Sequence, residues 1–477
     1  MAFKPIINLF SVLVMLFSIS LLAPLGISFF FEDGVEYIFL TTFVAAFIPA
    51  LLAWSITRKS NEEMGTKDGF VIITLFWVVL SFVGSMPFVL SGMSFVDSFF
   101  ESMSGITTTG ATVISGLDLL PESILFYRQM LQWMGGMGLI VLAIAVMPLL
   151  GIGGGQLFKT EIPGALNDQK LTPRIKETAQ ALWLIYLTLT FACAALYYLA
   201  GMSAFDAISH SLSTVSIGGF STHDASIGFF NSLSIELICM VFMLLSAFSY
   251  ALHYFAIYKR KPLKYFHDAE LRFFTSILLL IFVLSILFCY LLGFDGASVR
   301  QILFQSVSIV TTTGFVSTDY SSWPTVITFL LLVGAFIGAC SGSVGGGIKS
   351  WRVLIMINHA KINIMRLVHP NAVVSLKIGS KAVDDKVAES VWGFFSIYII
   401  SFMLLLLSLL ATGMDFESAF SAIGACLNNL GPGLGSVSET YSSVTDFGKG
   451  VLALAMILGR LEIFTLLVLF TTVFWDK

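Results

Sequence analysis

Residues 94–110 read SFVDSFFESMSGITTTG, a segment too polar to cross a membrane and too apolar to be an ordinary loop. It opens with a serine that can cap a helix, continues for about three helical turns, and ends in three threonines and a glycine. Three later segments follow the same plan, each ending in a glycine roughly 100 residues after the previous one: residues 203–218, 298–314 and 415–431. This spacing indicates an internal repeat built on a short half-helix and a glycine-containing loop.

The remainder of the chain is strongly apolar. Of its 477 residues, 57% are hydrophobic and only 11% are charged, which is more apolar surface than a soluble protein of this size can bury. A membrane span needs about 20 apolar residues. Ten stretches reach that length, at approximately 6–31, 37–57, 69–91, 124–150, 180–200, 232–257, 273–293, 325–357, 390–413 and 448–474. We therefore expect a multi-pass protein embedded in a lipid bilayer.

The charged residues between these stretches predict the orientation. Lysine and arginine concentrate in alternate loops, at residues 58–67, 159–176, 259–272 and 361–386, whereas the loops on the opposite side are acidic or neutral. By the positive-inside rule, both termini are expected in the cytoplasm, with the chain in a bacterial inner membrane. The sequence contains no basic arm of the kind that indicates nucleic-acid binding. The five cysteines lie in apolar stretches without the spacing of disulfide or metal sites.

The expected fold is an all-α polytopic membrane protein with four pseudo-symmetric repeats of span, pore helix, loop and span around one pore. The predicted repeats cover residues 69–150, 177–258, 271–357 and 388–474, and residues 1–60 supply two extra N-terminal spans. Non-helical backbone at membrane depth is tolerated only where protein or water surrounds it. Four such loops therefore indicate a shared aqueous path.

The chemistry of the loops indicates which solute uses that path. A half-helix that stops midway through the membrane aims its carbonyl end, the negative pole of its dipole, at the centre and favours a cation. Glycine allows backbone carbonyls to face inward and replace a hydration shell, and the threonines add hydroxyl oxygens. Oxygen ligands without a ring of carboxylates suit a weakly hydrated monovalent ion better than Ca²⁺ or Mg²⁺. The alternative is that the glycines merely allow helices to pack closely. The occurrence of four such loops at matching places in the repeats disfavours this alternative.

Four motifs in these loops resemble the Trk/Ktr/HKT superfamily of potassium transporters: ITTTGAT at 106–112, SIGGFST at 216–222, TTTGF at 311–315 and NNLGPGLG at 428–435. The resemblance covers essentially the whole chain, and the two extra N-terminal spans are typical of the TrkH branch rather than the shorter KtrB branch. It implies potassium uptake through a selectivity filter, with K⁺ as the transported ion and no organic cofactor on this chain. It also implies a homodimer, each protomer with its own pore, that works with a cytosolic TrkA-type ring of RCK nucleotide-binding subunits.

The resemblance further implies which residues bind potassium. In this superfamily, glycine at all four filter positions accompanies K⁺ selectivity, whereas serine at the first position accompanies Na⁺. The second and fourth loops of this chain keep a glycine but depart from the Thr-Thr-Gly form of the other two. The predicted potassium-binding residues are Thr108, Thr109, Gly110, Ser216, Ile217, Gly218, Thr312, Thr313, Gly314, Asn429, Leu430 and Gly431.

A glycine-rich segment interrupts the eighth apolar stretch. Residues 338–347 contain five glycines, and each glycine destabilises a helix by about 1 kcal/mol relative to alanine. A phosphate-binding loop is disfavoured because Ile348 stands where its motif requires lysine and no strand precedes it. A simple packing kink is the structural alternative. The resemblance implies a mobile intramembrane loop, residues 338–350, beneath the filter, with the gate residues Gly345, Gly346, Gly347 and Lys349.

Arg460 lies near the middle of the tenth apolar stretch, with Glu462 two residues later. A charge at that depth costs about 2.5–3.5 kcal/mol on insertion scales, so the side chain must face the pore, a partner or water. The resemblance implies that Arg460 forms a constriction next to the intramembrane loop, where its positive charge hinders cations. The alternative is an Arg460–Glu462 pair that joins helices, although their separation places them on different sides of a helix.

The sequence disfavours an enzyme, because no metal cluster, Ser–Lys pair or paired aspartates occur within the spans. A sodium- or proton-coupled cation symporter of the same architecture is the alternative function. Such coupling requires titratable groups near the midplane, for which Glu462 is the candidate. Arg128 is interpreted as bracing the first pore helix. The basic loops at 256–272 and 361–386 either dock an acidic ring or only set the topology.

Overall fold

The computed structural model describes residues 3–59, 64–146, 175–371, 374–379 and 381–475. Helices α1 to α10 are Phe3–Ser20, Leu22–Phe31, Glu36–Thr57, Thr66–Leu90, Phe95–Ile106, Glu122–Val146, Ile175–Leu199, Ala204–Val215, Leu233–Ala247 and Tyr250–Ile257. Helices α11 to α20 are Lys264–His267, Ala269–Leu292, Val299–Val310, Thr325–Ile337, Ser350–Val368, Asp385–Leu410, Phe416–Leu427, Asp446–Arg460, Phe464–Leu467 and Thr472–Trp475. Strands β1 (Lys377–Ile378) and β2 (Lys381–Ala382) pair antiparallel, with Lys377 opposite Ala382.

The described residues contain six helices that are long and apolar enough to cross a membrane: Phe3–Phe31, Glu36–Thr57, Lys67–Leu90, Gln180–Leu199, Ala269–Leu292 and Asp385–Leu410. Two further candidates are pairs of helices joined at a sharp bend, α9 with α10 at 96° and Asp446–Arg460 with Phe464–Phe470 at 108°. The protein is therefore a multi-pass membrane protein, as its composition predicted. Residues 1, 2, 60–63, 147–150, 159–174, 372, 373 and 380, which belong to the predicted N-terminal unit, spans or basic loops, lie outside the described residues.

The predicted sixth and tenth spans are not continuous helices. The sixth bends between α9 and α10. The tenth bends after Arg460, where Glu462 and Ile463 adopt positive φ angles of 55° and 54°. Hydropathy does not detect such bends, because backbone of any shape can lie at membrane depth where protein surrounds it. The eighth stretch is also interrupted, between α14 and α15, at the glycine-rich segment.

Four short helices, α5, α8, α13 and α17, organise the rest of the fold. Each packs between the longer helices that precede and follow it in the chain: α4 and α6, α7 and α9, α12 and α14, and α16 and α18. The following helix also packs on the next short helix, in the pairs α6–α8, α9–α13, α14–α17 and α18–α5. Each short helix and the two longer helices that flank it form one group. The pair α18–α5 joins the fourth group to the first, so the four groups of helices form a closed ring.

The N-terminal helices lie beside this ring. Helix α1 packs on α3 and α4, and α2 packs on α6. Their apolar side chains join the core formed by the first and fourth groups. They extend the ring on one side and contribute none of the four short helices.

Candidate functional site

The four short helices have the same length and the same N-terminal chemistry. Each has twelve residues and follows a Ser or Asp whose side chain accepts a hydrogen bond from the backbone N–H three residues later. The pairs are Ser94 with Asp97 (3.1 Å), Ser203 with Asp206 (3.0 Å), Ser298 with Gln301 (3.3 Å) and Asp415 with Ser418 (3.0 Å). Such caps satisfy an N–H that has no partner within the helix. The predicted helix starts are therefore confirmed.

A loop of four residues follows each short helix, and the four loops share one backbone conformation. We call residues 107–110, 216–219, 311–314 and 428–431 the first to fourth loops. The second residue of each loop is left-handed, with φ of 55° at Thr108, 54° at Ile217, 64° at Thr312 and 52° at Asn429. The third residue donates its N–H to the helix carbonyl five residues earlier, at 2.8 or 2.9 Å. The fourth residue is a glycine with φ between 81° and 101°.

These left-handed conformations are strained. A left-handed φ costs an L-residue about 1–2 kcal/mol and is least favourable for β-branched side chains such as Thr108, Ile217 and Thr312. Strain of this kind persists only where the surroundings enforce it, and it clusters at functional sites. Its recurrence at the same place in four loops makes them the candidate functional site.

The backbone corrects the register predicted for the second loop. In the other three loops, the terminal glycine lies sixteen residues after the capping residue, and in the second loop Gly219 lies there. Gly219 has the left-handed φ of 81°, whereas Gly218 donates its N–H to the helix, as Thr109 does. Ser216 is the C-cap of its helix, equivalent to Thr107. The predicted set Ser216, Ile217 and Gly218 is therefore displaced by one residue from Ile217, Gly218 and Gly219.

The four loops contact one another in a closed circle, which is called the ring from here on. A Cβ atom added to the terminal glycine of any loop would lie 2.7 Å or less from a carbonyl oxygen of the next loop. The glycine–carbonyl pairs are Gly110 with Gly218, Gly219 with Thr313, Gly314 with Leu430 and Gly431 with Thr109. Both the positive φ and this close approach require glycine. The circle brings together carbonyl groups of the kind that can replace the hydration shell of a monovalent cation.

Hydrogen bonds between side chains connect residues of three of the loops. The hydroxyls of Thr107 and Thr109 are 2.7 Å apart, and those of Thr311 and Thr313 are 2.8 Å apart. The Asn429 amide of the fourth loop donates to the Thr109 hydroxyl, at 3.0 Å. These bonds stiffen the first, third and fourth loops.

Arg128 joins the first and second loops from behind. Its side chain is 1% exposed and pairs with Glu101 of α5, at 2.9 Å. It also donates to the Thr112 hydroxyl and to the Ser221 carbonyl, both at 3.1 Å. Removing one partner of such a buried ion pair typically costs about 3–5 kcal/mol. Arg128 therefore braces α5, as predicted, and also the backbone that follows the second loop.

A cavity of about 540 Å³ adjoins the terminal glycines of the first three loops and Pro432 after the fourth. Its other lining residues include the acidic Asp224, Asp319 and Glu439, whose charges raise the local cation concentration. His223 also lines the cavity and lies between the carboxylates of Asp118 (2.5 Å) and Asp206 (3.4 Å). Burial of the imidazole opposes its protonation, but the two carboxylates outweigh burial and raise the pKa of His223. The cavity thus lies on the terminal-glycine side of the loops and is lined by three carboxylates beside Arg128 and His223.

The glycine-rich segment between α14 and α15 lies against the start of the third and fourth loops. Gly346 donates its N–H to the Thr312 hydroxyl (2.7 Å), and Gly347 donates to the Asn428 carbonyl (3.2 Å). A Cβ atom at Gly346 would overlap the Asn428 carbonyl oxygen, so this approach requires glycine. The predicted residues Gly345, Gly346 and Gly347 therefore contact the ring at the end opposite its terminal glycines.

Two basic side chains fasten this segment. The Lys349 ammonium donates to the Gly345 carbonyl within the segment. The Arg460 guanidinium donates to Val344 of the segment (2.9 Å) and to Gly135 of α6 (3.0 Å). Arg460 thus lies beside the segment, where it was expected. Glu462 forms its ion pair with Arg352 of α15, which the sequence did not predict.

Glu270 is a further contact of this segment that the sequence did not reveal. Its carboxylate, 4% exposed, accepts the N–H of Ser341 (2.5 Å) and the N–H of Trp351 (3.2 Å). It thereby connects the segment and the first turn of α15 to α12. An acidic residue in the first turn of a helix is ordinarily explained by the helix dipole, so its position in the sequence gives no signal of this role.

Comparisons with known proteins agree with this architecture. Residues 36–476 match the family TrkH, described as cation transport protein. The Trk system potassium uptake proteins TrkH of Halomonas elongata and Escherichia coli K12 are 50% and 47% identical, and each comparison covers 100% of both chains. The crystal structure of the potassium transporter TrkH from Vibrio parahaemolyticus has a TM-score of 0.90 and 48% sequence identity, again over 100% of both chains.

Proposed function

This chain belongs to the TrkH family of cation transport proteins, and on that premise we propose that it takes up potassium through the ring of four loops. It is a membrane transport protein and not an enzyme. Its relatives are named for potassium uptake by a Trk system. Potassium is accordingly the transported ion, supplied as substrate.

The closed circle of strained loops is the observation that carries this proposal. Four helix C-termini deliver partial negative charge to the circle, and the loops add backbone carbonyls and threonine hydroxyls. With the register corrected, the ligands we propose are Thr108, Thr109, Gly110, Ile217, Gly218, Gly219, Thr312, Thr313, Gly314, Asn429, Leu430 and Gly431. In this proposal they form a selectivity filter whose size favours K⁺ over Na⁺.

The segment between α14 and α15 is the proposed gate. It touches the ring through Gly346 and Gly347 and is fastened by Arg460, Lys349 and Glu270. A fixed positive charge at Arg460 raises the barrier to a cation leaving the ring. Conduction then requires the segment to move and the Arg460 side chain to leave the path.

Assembly and orientation follow from the same family. We propose a homodimer in a bacterial inner membrane, with both termini in the cytoplasm and a cytosolic TrkA-type RCK ring as partner. The relatives are named as proteins of a Trk system, which supports a partner, and the positive-inside rule supports the orientation. The described part of the basic loop at 256–272 exposes Lys259, Arg260 and Lys261, which suits an acidic partner surface.

Flux measurements on purified protein in liposomes test this function. We expect K⁺ and Rb⁺ to enter at similar rates and Na⁺ at least about tenfold more slowly, because the smaller ion gains less from carbonyls spaced for K⁺. Protein-free liposomes supply the background. Equal rates for K⁺ and Na⁺ would contradict the proposal.

The same assay separates a gated channel from a coupled symporter. The Glu462 carboxylate, the candidate for proton coupling, is already paired with Arg352, which favours a channel. Potassium flux is therefore expected to follow the potassium electrochemical gradient alone. Flux that tracks an imposed pH or sodium gradient would indicate the symporter.

A further inference from the structure

Gln132 of α6 occupies the space that a side chain would take at Gly218. The Gln132 side chain is fully buried, and a Cβ atom added to Gly218 would overlap its amide group. The amide nitrogen donates to the Gly218 carbonyl (2.6 Å), and the amide oxygen accepts the N–H of Phe220 (3.1 Å). Both polar atoms of this side chain are therefore bound to the backbone of the second loop and the residue after it.

The second loop needs such a support because it has none of its own at this place. The equivalent residues of the first and third loops are Thr109 and Thr313, whose hydroxyls bond within their loops. In the second loop, Ile217 and Gly218 offer no polar side chain, although Ile217 has the same strained φ as its counterparts. Strain persists only where contacts enforce it. Here the contacts come from another helix.

We propose that Gln132 is a positioning residue that determines ion specificity by replacing the missing side chain of Gly218. The inference rests on the proposed function of the ring as a filter. The Gly218 carbonyl that Gln132 holds is also the atom against which Gly110 packs. A shift of that carbonyl is thus transmitted to the first loop. A ring that can relax inward accepts the smaller Na⁺ ion, so the K⁺/Na⁺ flux ratio depends on the Gln132 amide.

A complementary exchange of side chains tests this inference in liposomes. Gln132→Ala is expected to lower the K⁺/Na⁺ flux ratio by about tenfold, because two buried hydrogen bonds are lost. Gly218→Thr alone is expected to abolish most flux, because the threonine overlaps the Gln132 amide. The double variant is expected to return the ratio to within about threefold of the parent, since threonine then fills the vacated space as it does in the first and third loops.

Gln129 supplies the matched control for this exchange. It lies one turn earlier on α6, is fully buried, and its amide has no hydrogen-bond partner among the described residues. Gln129→Ala is therefore expected to keep the parental ratio. Gln132→Met keeps the side-chain volume without the hydrogen bonds and is expected to lower the ratio as Gln132→Ala does. It serves as the test if the alanine variant does not fold.

Two results would overturn the inference while leaving the filter intact. One is an unchanged ratio in folded Gln132→Met while Gly110→Ser lowers it. The other is a double variant no better than Gln132→Ala, which would show that the amide does not stand in for a side chain at position 218. An unchanged ratio in Gly110→Ser as well would overturn the proposed function and the inference together.

Discussion

Replacing Gly110 with serine is expected to lower the K⁺/Na⁺ flux ratio by at least about tenfold. The added Cβ atom would overlap the Gly218 carbonyl oxygen, which is backbone and cannot rotate away. Gly110 also has a φ of 83°, where an L-residue costs about 1–2 kcal/mol. The first and second loops must therefore separate, and the carbonyl spacing that selects for K⁺ is lost. The measurement is K⁺, Rb⁺ and Na⁺ flux into liposomes containing the variant.

Gly116→Ser is the matched control for this prediction. Gly116 follows in the same segment and has a similar φ of 75°, but a Cβ atom there would have no neighbour within 4 Å. It therefore carries the backbone strain without the clash, and its flux ratio is expected to equal that of the parent. If Gly116→Ser lowers the flux ratio as much as Gly110→Ser does, backbone strain rather than contact between the loops determines the ratio, and the ring assignment fails.

Replacing Arg460 with alanine is expected to raise K⁺ flux by about tenfold or more. The guanidinium fastens Val344 of the proposed gate to Gly135 of α6 and brings a positive charge beneath the ring. A like charge within about 10 Å of a permeating cation costs roughly 2 kcal/mol at an effective dielectric constant of about 20. Removing the charge and the fastening lowers this barrier, and the initial rate of Rb⁺ uptake into liposomes measures the change.

Two variants distinguish charge from packing at this position. Arg460→Lys keeps the charge but not the planar fork that reaches both carbonyls, so its flux is expected to lie between the parent and alanine variants. Arg58→Ala removes an exposed arginine at the end of α3, outside the four loops, where the guanidinium lies over the Trp54 ring (5.2 Å), and is expected to leave flux unchanged. Flux in Arg460→Ala at or below the parental rate would contradict the gating role.

Much of the ring could be predicted from the sequence because its signals are local. The capping residues Ser94, Ser203, Ser298 and Asp415 define where the short helices start, and cap chemistry involves residues only three apart. The interruption of the eighth stretch could likewise be predicted from Gly345, Gly346 and Gly347, since glycines in succession disfavour a helix. Both features depend on neighbours in the chain.

The parts that were missed depend on contacts between distant residues. The register of the second loop was misplaced because adjacent Gly218 and Gly219 look alike in sequence, and only φ separates them. In the sequence, Gln132 is one polar residue in an apolar stretch, and only the structure shows its contact with Gly218. The ion pair of Glu462 was missed because its partner, Arg352, lies on a different helix, α15. Periodicity and composition carry no information on such pairs.

The position of a bound ion tests whether the four loops coordinate potassium. Rb⁺ scatters X-rays anomalously and resembles K⁺ in size, so crystals of the protein grown in Rb⁺ would reveal the site as an anomalous difference peak. We predict a peak on the axis enclosed by Gly110, Gly219, Gly314 and Gly431, and none there in crystals grown in Na⁺. Ordered Rb⁺ bound elsewhere, with no peak inside the ring, would contradict the account.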